Sequence, residues 1–99
     1  MKVWLDDVRP MPPTYDTHVK TPDEAIALLK TGEVTLISLD HDLGENVGTG
    51  YDVAKWIEEA AYHNAIIPLD VRVHSANPVG ARRMREAISS ANRMWEWKG

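Results

Sequence analysis

Four aspartates stand directly after apolar runs. Asp6 and Asp7 follow Val3-Trp4-Leu5, and Asp40 and Asp42 follow the run from Val34 to Leu39. An apolar run that stops in acidic residues is how a buried strand reads where it reaches solvent. Carboxylates gathered at strand ends raise one another's pKa, and a shared cation relieves that repulsion. Hard oxygen donors without a thiolate favour Mg2+ or Mn2+, typically held by one or two carboxylates together with a substrate phosphate. Asp40 and Asp42 share a side if extended geometry persists through His41. Asp6 and Asp7 cannot both point inward from a regular strand, though a turn after Leu5 changes that. Taken singly, each aspartate is equally well explained as a solvated loop residue or a helix cap.

Two histidines join them. His41 lies between Asp40 and Asp42, and His74 follows Val71-Arg72-Val73. Imidazole changes charge near neutral pH, so a pair beside a metal site suits general acid–base work. A packed His74, hydrogen-bonded to a neighbour, is the other reading. His18 and His63 lack such surroundings and are expected at the surface. Ser75-Ala76-Asn77-Pro78 opens a helix whose first amides offer an anion site. Ser75, Asn77, Gly80 and Arg82 or Arg83 would add contacts to a phosphate there; the plainer alternative is a cap with solvated arginines. Arg9 is either a further phosphate contact or a salt-bridge partner.

The elements that must position these residues are readable along the chain. Val3 to Leu5 is a short buried strand, and Pro10, Pro12 and Pro13 forbid a regular helix after it. Thr17 to Lys20 is a short edge strand. Thr21-Pro22-Asp23-Glu24 is a helix start, with Thr21 as cap, Pro22 at the first position and Glu24 closing a capping box. Gly32 ends that helix. Val34 to Leu39 (VTLISL) is β-branched and apolar enough for a central strand. Thr49 and Asp52 form a second capping box, opening a helix through Val53, Trp56, Ile57 and Ala60. A fourth strand covers Val71 to His74, beginning near Leu69, and Asn77 with Pro78 starts a last helix that turns Val79, Met84, Ala87, Ile88 and Ala91 to the sheet. The order is β, β, α, β, α, β, α. Such alternation predicts an α/β fold, a small three-layer sandwich with a mostly parallel four-stranded sheet and right-handed crossovers. Ligands then bind outside the carboxyl ends of the strands. Leu5-Asp6-Asp7, Leu39 to Gly44 and His74 to Asn77 all fall there.

Composition bounds the rest. Ninety-nine residues, 43% hydrophobic and 26% charged, make one domain over 1–99 with one core. Without cysteine there is no disulfide, thiolate nucleophile or Cys-based metal site. No secretory pattern and no apolar run of about 18 residues is present, so a soluble cytoplasmic protein without membrane attachment is expected. A net charge of −4 argues against broad nucleic-acid backbone binding, and no sequence-specific DNA binding is expected. Trp95 and Trp97 either pack on the domain, the favoured reading, or mark a partner surface. Oligomeric state is open.

An acidic pair after the first strand, an Asp ending the central strand and a small hydroxyl residue ending the next resemble the response-regulator receiver domain. The resemblance implies a truncated receiver or flavodoxin-like topology, with Asp6, Asp7 and Asp40 around Mg2+, phosphate acceptance at Asp40, and Ser75 in the hydroxyl position. Three departures stand out: a Pro-rich stretch replaces the first helix, a full fifth strand and helix are missing, and the receiver's lysine has no convincing counterpart. The set LDD, LDHDLG and HSAN, spanning roughly residues 3 to 90, is closer to the cyclic-phosphate-processing receiver domains often found in phage and bacterial genomes. That resemblance implies work on cyclic phosphate, with an RNA end or a phosphorylated small molecule as partner. The leading expectation is a metal-dependent hydrolase of cyclic or terminal phosphate. Asp6, Asp7 and Asp40 ligate, Asp42 ligates or orients His41, His41 and His74 exchange protons, and Ser75, Asn77, Gly80, Arg9 and Arg82 hold phosphate. A signalling module phosphorylated on Asp40, or a non-catalytic phosphate binder, is the alternative.

Overall fold

The computed structural model describes residues 1–98. Its elements are β1 (Lys2–Leu5), β2 (Thr17–Val19), α1 (Pro22–Leu29), β3 (Leu36–Leu39), α2 (Gly50–Tyr62), β4 (Asp70–Val73) and α3 (Pro78–Lys98). The order is the one expected. The sheet runs β2-β1-β3-β4 and every pairing is parallel, so all four carboxyl ends meet at one edge. This is an α/β, receiver-like fold with three helices.

The helices start where their caps are written. Thr21 Oγ1 accepts from Glu24 N at 3.2 Å, the Thr49 amide donates to Asp52 Oδ2 at 2.9 Å, and Gly80 N donates to Asn77 Oδ1 at 3.0 Å. Strand limits shift slightly, since β3 opens at Leu36 rather than Val34 and β4, starting at Asp70 close to the expected Leu69, ends at Val73 rather than His74. The ladder itself runs further: Thr35 N bonds Met1 O at 2.9 Å and His74 N bonds Leu39 O at 3.1 Å.

Alternation along the strands separates two faces. Val3, Leu5, Val19, Ile37, Leu39, Val71 and Val73 pack with Ala25, Leu29, Val53, Ile57, Met84 and Ile88, so all three helices lie on that face. The opposite face carries Trp4, Ser38 and Arg72, level with one another. There the covering layer is a loop. Tyr15 lies 5.1 Å from the Trp4 ring, and Trp4 Nε1 donates to Arg9 O at 3.3 Å. Of the three layers expected, the third is therefore the Pro-rich segment between β1 and β2, which cannot be helical.

Two expectations for α3 fail. Val79 is 54% exposed, because Gly80 and Ala81 take the inward positions from which Met84, Ala87, Ile88 and Ala91 follow at helical spacing. Trp95 packs against the core, but Trp97, two positions on and so round the helix, is 82% exposed. No helix among the described residues is long and apolar enough to cross a membrane.

Candidate metal and phosphate site

The two-residue period of the strands builds the site. Asp6 continues the side of Trp4, Asp40 that of Ser38, and His74 that of Arg72. Register keeps them level: Leu5 pairs with Leu39 and Leu39 with Val73, while Asp40 N bonds Leu5 O at 3.0 Å. One carboxylate oxygen each of Asp6 and Asp40 and a ring nitrogen of His74 consequently lie within 4.8 Å of one another. Asp6 and Asp40 are buried. Asp7 and Asp42 stand on the rim, and with Asp6, Asp40, Val8, Arg9, Gly44 and Ala76 they line a cleft of about 350 Å³.

The environments of the two buried carboxylates differ. Asp6 Oδ1 accepts from Val8 N and Arg9 N, both at 2.8 Å, and Oδ2 lies 3.0 Å from His74 Nε2. Burial is the largest single influence on Asp6 and pushes its pKa up. The two amide bonds and His74 together outweigh it, so the pKa ends below the ordinary carboxylate value. Among the described residues Asp40 has one donor, the His41 amide at 2.9 Å on Oδ1. Burial, then the charge of Asp6, hold its pKa above the ordinary value. A raised carboxylate beside an anionic one is the electrostatic setting in which a cation binds favourably.

His74 is fixed from three sides. Its ring stacks on Trp4 at 3.7 Å with 7° between planes, Ser38 Oγ lies 2.7 Å from Nδ1, and Nε2 meets Asp6. Burial holds its pKa below the ordinary value, against the pull of Asp6 and Asp40. Arg9 closes the arrangement, donating from Nη1 to His74 O at 2.6 Å, with the same nitrogen 3.8 Å from Asp6 Oδ2.

His41 forms a second group. Its Nδ1 lies 2.9 Å from Asp42 Oδ1, and that bond leads the influences holding the Asp42 pKa low. Asn77 Nδ2 approaches the same carboxylate at 3.4 Å. Glycines make the room. A Cβ on Gly80 would come 2.4 Å from the His41 ring, and one on Gly50 would fall 1.8 Å from the Asp40 carbonyl oxygen.

The phosphate-binding candidates fare unevenly. Ser75 Oγ accepts from Asn77 N at 3.1 Å, and Gly80 N is taken up by Asn77, so these groups are committed to the start of α3. Arg82 is exposed on α3 and does not line the cleft; Arg9 does. His74, not Ser75, stands level with Asp40. Ser38 and Trp4 were not anticipated as site residues, although two-residue spacing from Asp40 and Asp6 would have marked them. His18 is exposed, as expected, and its Nε2 lies 2.7 Å from the Asp6 carbonyl oxygen.

The family model described as the cyclic-phosphate processing receiver domain matches residues 1–90. The chain belongs to that family. No curated protein and no solved structure matches it. In this cyclic-phosphate processing receiver domain the matched span contains every residue of the cleft and ends within α3, before Trp95 and Trp97.

Proposed function

We propose that this receiver-type domain is a metal-dependent phosphoesterase acting on a cyclic or terminal phosphate, such as an RNA 2′,3′-cyclic phosphate end or a cyclic nucleotide. The observation that carries the reading is the convergence of Asp6, Asp40 and His74 within 4.8 Å at the strand ends. Two level, buried carboxylates repel one another, and a bound cation relieves that repulsion. Asp40 has only its Oδ1 bonded among the described residues, so the donor set fits Mg2+ or Mn2+. Asp6 and Asp40 would hold the ion, with Asp7 and Asp42 at the rim as further ligands. A divalent ion there supplies Lewis-acid polarisation of the phosphoryl oxygens.

The chain's own groups do the rest. His41, oriented through Nδ1 by Asp42, keeps Nε2 for proton exchange with water and the leaving hydroxyl. His74 meets Ser38 through Nδ1 and Asp6 through Nε2, so neither ring nitrogen is left for proton exchange. Arg9 and Ala76 border the cleft where phosphate oxygens would enter.

The test is ring opening of a panel of 2′,3′-cyclic phosphates and 3′,5′-cyclic nucleotides by purified protein with Mg2+, Mn2+ or EDTA, beside Asp40→Asn and His41→Ala. The expected result is metal-dependent turnover, lost in Asp40→Asn and reduced about 10²-fold or more in His41→Ala. Metal binding that depends on Asp40 without any turnover would sink the hydrolase reading. A persistent acyl phosphate on Asp40 would instead assign the domain to signalling.

A further inference from the structure

We infer that His74 is itself a metal ligand, through Nε2, and that the resident ion is of the first-row transition class, such as Mn2+, rather than Mg2+. The inference rests on the proposed metal site and deepens it. An ion about 2.1 Å from each ligand separates neighbouring donors by about 3 Å. His74 Nε2 and Asp6 Oδ2 are 3.0 Å apart, and donor atoms, one each from Asp6, Asp40 and His74, lie within 4.8 Å of one another. Asp40, 8% exposed, leaves Oδ2 without a hydrogen-bond partner among the described residues.

The surroundings of His74 are those of a ligand. Metal-bound imidazole commonly gives its second N–H to a fixed acceptor, which sets the tautomer and the ring plane. Ser38 Oγ, buried and 2.7 Å from Nδ1, is that acceptor, and the parallel Trp4 ring holds the plane. With an ion bound, Nδ1–H would donate to Ser38 and the Nε2 lone pair would face the ion held between the carboxylates. One imidazole with two carboxylates is a donor set that Mn2+, Co2+ or Zn2+ accepts readily and that Mg2+, which prefers oxygen, does not.

The experiment is pulsed EPR of the Mn2+-loaded full chain, reading echo modulation from a directly bound nitrogen. Unmutated protein carrying 15N-histidine serves as the control that needs no substitution. Nitrogen modulation is expected in the wild type, altered by the 15N label, kept in His41→Ala and lost in His74→Ala. In competition, at least a tenfold preference for Mn2+ over Mg2+ should shrink in His74→Ala. Mn2+ that binds in an Asp40-dependent way without nitrogen modulation would overturn the ligand role and leave the phosphoesterase reading standing. Nitrogen modulation that survives His74→Ala would do the same. Absence of any Mn2+ binding would overturn both.

Discussion

Asp6 and Asp40 sit level on neighbouring strands, yet their pKa values move in opposite directions. The difference is donor count: Asp6 accepts two amides and faces His74, whereas Asp40 accepts one amide and faces Asp6. Ionised Asp40 is therefore a cost in the metal-free fold. Asp40→Asn should raise metal-free stability near neutral pH by about 0.5–2 kcal/mol, a melting shift of several degrees for a domain this size. Added Mn2+ should raise the melting temperature of the wild type and not of this variant. His74 adds a pH dependence. Burial lowers its folded pKa below the ordinary 6.5, so the unfolded chain takes the proton first as pH falls. Its stabilising contribution is complete above pH 6.5 and declines below it. Thermal melts across this range should show that decline in the wild type, and a shallower one in His74→Gln.

At the scale of elements, the approach of α2 and α3 to the loop after β3 is set by two glycines. Gly50 N bonds His41 O at 3.0 Å, which draws the start of α2 onto the backbone of Asp40. A methyl at Gly50 meets backbone that cannot rotate aside. Gly50→Ala should cost about 3 kcal/mol or more in a denaturant titration. Gly80→Ala meets a side chain instead, the His41 ring. That ring can swing away, so stability should fall less while the His41–Asp42 bond is lost. Turnover reduced with the fold retained, together with a shifted His41 ring resonance, is the expected pattern.

The whole molecule divides its labour between two sheet faces. Helices cover one and build the core; the Pro-rich loop covers the other and, with Trp4, walls the site. Trp4→Ala should cost about 3–5 kcal/mol, as large aromatic deletions do, and should weaken metal binding through the freed His74 ring. Trp97→Ala removes an exposed ring and should stay within about 0.5 kcal/mol of the wild type. Trp95 carries a buried Nε1 without a hydrogen-bond partner among the described residues. Trp95→Phe removes that unpaired donor and should be close to neutral. Denaturant melts of the three variants check the set.

The elements were legible because their causes are local. The run VTLISL, the caps at Thr21, Thr49 and Asn77, and the prolines after Asp7 act through neighbours a few positions away, and they yielded the element order and the strand-end placement of Asp6, Asp7, Asp40 and Asp42. The family resemblance was legible in the same short motifs. What lay beyond them depends on register between distant strands. Whether His74 or Ser75 stands beside Asp40 is decided by the pairing of Leu39 with Val73, thirty-four positions apart. The roles of Ser38 and Trp4 follow from the same register, which places their side chains under and against the His74 ring. That a loop rather than a helix roofs this face, and that Val79 yields its inward place to Gly80 and Ala81, likewise follow from how elements pack. Local periodicity determined which residues reach the strand ends, and only tertiary packing decided which of them face one another.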